Sequence, residues 1–238
     1  MTYDNAFDTA VASFVNQYAR NSWAFDQVIA FLSFNHLLKG GVFMAMLWWA
    51  WFQSGDRQAI QRAHILSTVF GCIVALAIGR ILVLTLPFRE RPLHEATLSW
   101  TLPYGVAEKA LDGLSSMPSD HAVLFFALAT GYFFVSRALG FVALAYAVVC
   151  IALPRIYLGL HYPTDILAGA AIGSLVVYGS NRYLTYRRLF VYVATLPKTK
   201  PSYFYAAFFL ATYQIADLFE NIRPLLVGLV KLLKGVLA

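Results

Sequence analysis

Arg89 and Arg91 stand one residue apart in the stretch "PFRERP", pinned between Pro87 and Pro92. Forked guanidinium donors suit the oxygens of a phosphate. In "SSMPSDHA", residues 115–122, Pro118 and Ser119 precede an apolar run, so a helix is expected to begin there. Its unpaired backbone N–H groups and positive dipole end would receive an anion, with those of Asp120 and His121 close by. His121, in the first turn, could then hand a proton to a departing oxygen. The third stretch, "PRIYLGLHYPTD" at 154–165, holds Arg155, His161 and Asp165. Pro163 suits the first turn of another helix, which leaves His161 just before it and Asp165 just inside. At that separation the carboxylate is expected to accept a hydrogen bond from one imidazole nitrogen, freeing the other as nucleophile or base.

Each cluster alone has a plainer reading: a basic interfacial loop, an N-cap, a satisfied polar helix junction. Together they supply cations for a dianion, an oriented neutral histidine for an electrophile and a second histidine for a leaving group. Phosphoester hydrolysis needs all three. The expected scheme has His161 attack phosphorus, Asp165 hold its ring, and His121 protonate the leaving group and then activate water. Arg89, Arg91, Arg155, Ser119 and the N–H groups near Asp120 would stabilise the equatorial oxygens. The scheme requires no metal and no cofactor, and no metal-ligand spacing is present.

These residues need a scaffold, and the composition says which. The 238 residues are 60% hydrophobic and 13% charged, with a mean hydropathy of +0.64, outside the range of ordinary soluble domains. An all-α polytopic membrane protein is expected, with six spans near 37–54, 63–86, 121–136, 138–156, 164–181 and 202–219 and a helical external loop. No polar linker divides the chain, so residues 1–238 are read as one domain. The first twenty residues include Asp4, Asp8, Asn16 and Gln17 and do not read as a cleavable signal peptide. Cys72 and Cys150 lie in apolar runs, where a small hydrophobic side chain is their ordinary role.

The net charge of +6 reflects topology rather than nucleic acid. Arg57, Arg62, Arg137, Arg182, Arg187, Arg188, Lys198 and Lys200 fall in loops on one side, expected to be cytoplasmic. The three polar clusters then share the opposite face. The N-terminal forty residues read as a partly amphipathic lead-in, with Asn35, His36 and Lys39 as interfacial polar residues near the start of the first span and Lys39 snorkelling. The tail, 220–238, reads as an interfacial helix.

"RERP", "PSDH" and "PRIYLGLHYPTD" resemble, in order, the three signature motifs of the type 2 phosphatidic acid phosphatase superfamily, over about residues 60–185. The resemblance implies a six-helix, metal-independent membrane phosphatase inhibited by vanadate. Arg91, Ser119, His121, Arg155, His161 and Asp165 carry over position by position. Three positions depart: Asp120 replaces a glycine, Pro154 replaces a serine, and Leu84 stands where a lysine precedes Arg91 by seven residues. A carboxylate at 120 would have to point away or pair with an arginine. For the missing lysine, Arg89 is the preferred substitute; Arg80, one turn before Leu84, is second choice because helical side chains lean toward the N-terminus, away from the site.

The expected substrate is a lipid phosphate or diphosphate at the outer boundary of a bacterial inner membrane. An isoprenyl diphosphate such as undecaprenyl diphosphate leads, ahead of phosphatidylglycerophosphate and phosphatidate. A lipid phosphotransferase and a non-enzymatic lipid-phosphate binding or flipping protein are the alternatives. Membrane lipids are the expected partners, nucleic acid is not, and oligomeric state is left open.

Overall fold

Every regular element is helical in the computed structural model, which describes residues 5–221. α1 (Ala6–Asn16) and α2 (Trp23–Phe34) begin on side-chain caps from Asn5 and Ser22. A π-helical turn, Leu37–Gly41, leads into α3 (Val42–Phe52). α4 (Gln58–Thr85) is the longest element, at 28 residues. α5 (Asp120–Val135) follows a long loop; α6 (Arg137–Tyr146) continues through a second π-helical turn, Ala147–Ala152, into α7 (Leu153–Tyr157). α8 (Pro163–Tyr183) begins with proline at its first position, as the sequence predicts. α9 (Arg188–Val193), α10 (Leu196–Thr199) and α11 (Pro201–Ala216) complete the described chain.

Helices stand at all six expected positions, but length separates them. α4 and the continuous Arg137–Tyr157 helix are long and apolar enough to cross a membrane. α2 with Leu37–Phe52 would make a third span, bent by 66° at the break. α5 and α11 have 16 residues each, short of the roughly 20 a bilayer core demands. The loop 87–119 is largely irregular, its helical content limited to short 3₁₀ turns at Pro92–His94 and Ala96–Leu98. The tail expected to be an interfacial helix lies outside the described residues beyond Asn221.

α5 runs through the core, where Leu124, Phe125, Leu128 and Tyr132 are fully buried. It packs against α4 on one side and α8 on the other. Gly169 and Gly173 of α8 make the second contact close: a Cβ on Gly173 would collide with the Val123 carbonyl oxygen, and one on Gly169 would crowd that of Ser119. Small residues allow such backbone approach between helices. The starts of α5 and α8 are thereby held together, and the Ser119 N–H donates to the Asp165 carbonyl oxygen at 3.2 Å.

The N-terminal segment is more than a lead-in to the first span. Asp8 and Asp26 are both buried. Asp26 accepts from the backbone N–H of Arg20 and Tyr104 and from the Tyr157 hydroxyl. Buried carboxylates are tolerated only with such partners, so α1 and α2 are fastened onto the site's loops and onto α7.

Candidate active site

The last turns of α4, the start of α5, the end of α7, the turn before α8 and the loop 87–119 meet around a cavity of about 110 Å³. Arg80, Arg91, Arg155, Asp120, His121 and His161 line it, joined by the exposed Glu220. Three guanidinium groups and two imidazoles in so small a space suit an anion.

His161 is buried in the loop before α8, and its Nδ1 is 2.8 Å from the Ser116 carbonyl oxygen. A carbonyl only accepts, so Nδ1 carries the proton and Nε2 the lone pair. Nε2 lies 3.4 Å from a terminal nitrogen of Arg91. Burial pushes the imidazole down to about 4. Asp165 opposes that shift by its charge; at 3.7 Å from Nδ1 it is outside hydrogen-bond range. The expected Asp165–His161 hydrogen bond is therefore replaced by one to the backbone. Asp165 instead accepts from the Tyr162 N–H at 2.8 Å and pairs with Arg89 at 2.7 Å, fixing the turn that carries His161.

Arg91 donates to the carbonyls of Leu114, Leu160 and Ser115 at 3.0, 2.5 and 3.2 Å. With the contact to His161 Nε2, four of its five N–H groups are engaged, leaving one for a ligand. Burial lowers Arg91 to about 10, which leaves it charged at neutral pH. Arg155 is buried, donates to the Ser33 carbonyl at 3.4 Å, and has its Nε without a partner. His121 also has a buried Nε2 with no partner. An unpaired ring nitrogen on a cationic cavity is placed to exchange a proton with a bound group.

Two arginine assignments are reversed. Arg89 does not line the cavity; it is buried between Asp8 at 2.6 Å and Asp165, donates to Thr164 at 2.9 Å, and lies 4.3 Å over the Tyr162 ring. Its charge is already matched by two carboxylates. Arg80 does line the cavity and forms an ion pair with Asp120. The helix-direction argument failed because α4 overshoots the site. The first turn of α5 packs beside Gly79, where a Cβ would stand 3.3 Å from Val123 and 3.8 Å from Asp120 Oδ1, while Leu84 is 84% exposed. The ion pair is also how the unusual carboxylate at 120 is accommodated.

Ser119 is fully buried and caps α5, its hydroxyl accepting from the Ala122 N–H at 3.5 Å. It does not line the cavity, so the phosphate-binding role expected of its hydroxyl gives way to a capping one. Lys39 is not snorkelling: it is 4% exposed. Sequence patterning could not reveal this, because burial depends on α11 packing over it. Among the described residues the His and carboxylate group spaced to hold a metal ion is His36, Asp217 and Glu220, with ligand atoms within 4.8 Å of one another.

Residues 87–189 match the PAP2 superfamily, the same stretch that supplies Arg91, His121, Arg155 and His161. That stretch, less than half of the chain, is similar to phosphatases of the type 2 phosphatidic acid phosphatase superfamily. It is similar to YbjG of Escherichia coli (strain K12), with 26% identity over 61% of this chain and 70% of that one. Undecaprenyl-diphosphatase BcrC of Bacillus subtilis (strain 168) is 24% identical over 70% of this chain and 78% of its own length. Bacitracin transport permease protein BcrC of Bacillus licheniformis is 31% identical over 50% of this chain and 55% of its own. No solved structure matches the chain significantly.

Proposed function

We propose that this protein hydrolyses an isoprenyl diphosphate, of which undecaprenyl diphosphate is the leading candidate, through a phosphohistidine intermediate. The observation that carries the reading is one cavity in which the lone-pair nitrogen of His161 and the unpartnered Nε2 of His121 share space with Arg80, Arg91 and Arg155. A similarity to a protein named undecaprenyl-diphosphatase supports the choice of lipid.

In the proposed reaction Nε2 of His161 attacks the terminal phosphorus, and the bridging P–O bond breaks. The departing lipid phosphate keeps that electron pair and takes a proton from His121. Water, deprotonated by His121, then attacks phosphorus; the P–N bond breaks, its electron pair returns to Nε2 of His161, and inorganic phosphate is released. Arg91 stands beside the nucleophile and would hold an equatorial oxygen; Arg155 and Arg80 face the same cavity, and charge aimed at the transferring group accounts for much of such catalysis. Asp165 is a positioning residue.

The protein is proposed to be an integral membrane protein of a bacterial inner membrane, its helices forming one six-span unit with the site at the face opposite the basic loops. The positive-inside bias supports that orientation, and the apolar α4 and Arg137–Tyr157 helices support insertion. The test is phosphate release from purified isoprenyl diphosphate, isoprenyl monophosphate, phosphatidate and phosphatidylglycerophosphate in detergent. Release is expected fastest from the diphosphate, with vanadate inhibiting, and H161A should lose several orders of magnitude. Undiminished release by H161A would end the phosphohistidine reading.

A further inference from the structure

Asp8 is a buried carboxylate that the proposed reaction leaves without a task, and it lies outside the stretch that matches the family. It stands in the first turn of α1, on the face that also buries Ala12 and Asn16. One oxygen accepts from the backbone N–H of Thr164 at 3.0 Å; the other accepts from Arg89 at 2.6 Å and from the Thr164 hydroxyl. A carboxylate has lone pairs for all three, whereas an amide offers a single acceptor oxygen.

These partners sit on the two segments that aim His161. The imidazole belongs by its backbone to the turn before α8, but its Nδ1 is oriented by the Ser116 carbonyl, in the loop 87–119. The direction of Nε2 therefore depends on how turn and loop are placed relative to one another. Arg89 joins them. Its backbone N–H donates to the Ser115 hydroxyl at 3.2 Å and its carbonyl accepts from the Ser116 N–H at 2.9 Å. Its guanidinium donates to Thr164 at 2.9 Å and to Asp165 at 2.7 Å.

Asp8 closes that link from a third element. It bonds the Arg89 guanidinium and the Thr164 main chain at once, and it takes the terminal nitrogen that Asp165 does not. A guanidinium held at both terminal nitrogens is fixed; held on one side only, it can pivot.

We propose that Asp8 is a positioning residue for the reaction: from α1 it locks Arg89 and Thr164, and so sets the line along which Nε2 of His161 meets phosphorus. The inference rests on the phosphatase reading above. Asp8 does not line the cavity, so it acts on kcat through His161 rather than on substrate binding.

The test measures kcat, KM and vanadate inhibition with an isoprenyl diphosphate in detergent, together with thermal melts, for wild type, D8N and N16A. D8N is isosteric and leaves the Arg89–Asp165 pair in place, so folded protein is expected. Its kcat should fall about 10- to 100-fold, the scale of a misplacement near 1 Å, with KM little changed. Vanadate, which takes the position of the transferring phosphorus, should weaken by a factor similar to that in kcat. N16A is the control for a merely structural role. Asn16, on the same face of α1, exchanges hydrogen bonds of 2.7 and 2.8 Å with Thr101. N16A should therefore loosen α1 and lower the melting temperature while keeping kcat. An unchanged kcat in D8N, a loss carried by KM alone, or equal kcat losses in D8N and N16A would each overturn the proposal. T164A, which removes the hydroxyl shared by Asp8 and Arg89, replaces D8N under the same criteria should D8N not fold. Failure of the underlying phosphatase reading is separately visible, since wild type would then release no phosphate.

Discussion

His161 turns its Nδ1 to the carbonyl oxygen of Ser116 at 2.8 Å, rather than to the Asp165 carboxylate at 3.7 Å. A side-chain carboxylate can be mutated to an amide that donates and so reverses a histidine tautomer. A backbone carbonyl can only accept, and it holds the proton on Nδ1 whatever stands at 165.

D165N is therefore expected to keep the nucleophile competent. Its kcat should fall roughly tenfold, far less than the several orders of magnitude expected for H161A. Its larger effect should be on stability, because Asp165 also caps Tyr162 and pairs with Arg89. A loss of about 2 kcal/mol is expected from weakening that charged contact. Steady-state kinetics with a thermal melt separate the two; a collapse of kcat at unchanged melting temperature would restore Asp165 to direct contact with the ring.

The same ring makes stability depend on pH. Burial pushes His161 down to about 4 in the folded protein, while an unfolded histidine titrates near 6.5. Between those values the unfolded chain binds a proton that the folded chain refuses. Stability therefore rises with pH through this window and is lost as pH falls from about 6.5 toward 4. The full contribution is on the order of 3 kcal/mol, reached above the window. Melts of wild type and H161Q at pH 4.5 and 7 measure it: wild type should lose more than H161Q on acidification. Equal losses would show that this ring does not resist protonation.

Arg80 and Arg89 should fail in opposite ways. Arg80 is partly exposed and faces the cavity, so R80A should lower kcat/KM by about a hundredfold with a small effect on melting, in keeping with one electrostatic donor. Arg89 is buried between Asp8 and Asp165. R89A leaves those carboxylates uncompensated, and a loss of about 3–5 kcal/mol is expected, or failure to accumulate folded protein. Expression level, melting temperature and kcat/KM of the two variants decide the matter. An R89A protein that is stable but inactive would return Arg89 to the substrate.

What could be read from the sequence was set by the distance between cause and effect along the chain. His121 and His161 were legible because Ser119 and Pro163 beside them mark where α5 and α8 begin, which places side chains within a turn. The choice between Arg80 and Arg89 was not legible, because it depends on how far α4 runs past the first turn of α5. The role of Asp8 depends on Arg89, 81 positions away, and no local pattern announces such a partner. Lys39 looked like an interfacial lysine for the same reason: what covers it arrives with the end of α11.

The glycines of α8 offer a last check on how the site is positioned. Gly173 faces the Val123 carbonyl so closely that a methyl group would meet backbone, which cannot swing aside as a side chain can. Gly179, on the same helix, has nothing within 4 Å of its Cβ position. G179A should therefore gain stability, by about 0.5–1 kcal/mol from helix propensity. G173A gains the same propensity but must push α5 and α8 apart, at a cost of roughly 1–3 kcal/mol. Because His121 rides on the start of α5 and His161 on the turn before α8, G173A should lower kcat/KM as well, and a displacement near 1 Å can cost about a hundredfold. Matched melts and kinetics of the two alanine variants test this. If G173A were as stable and active as G179A, close contact between α5 and α8 would not be what aligns the two histidines.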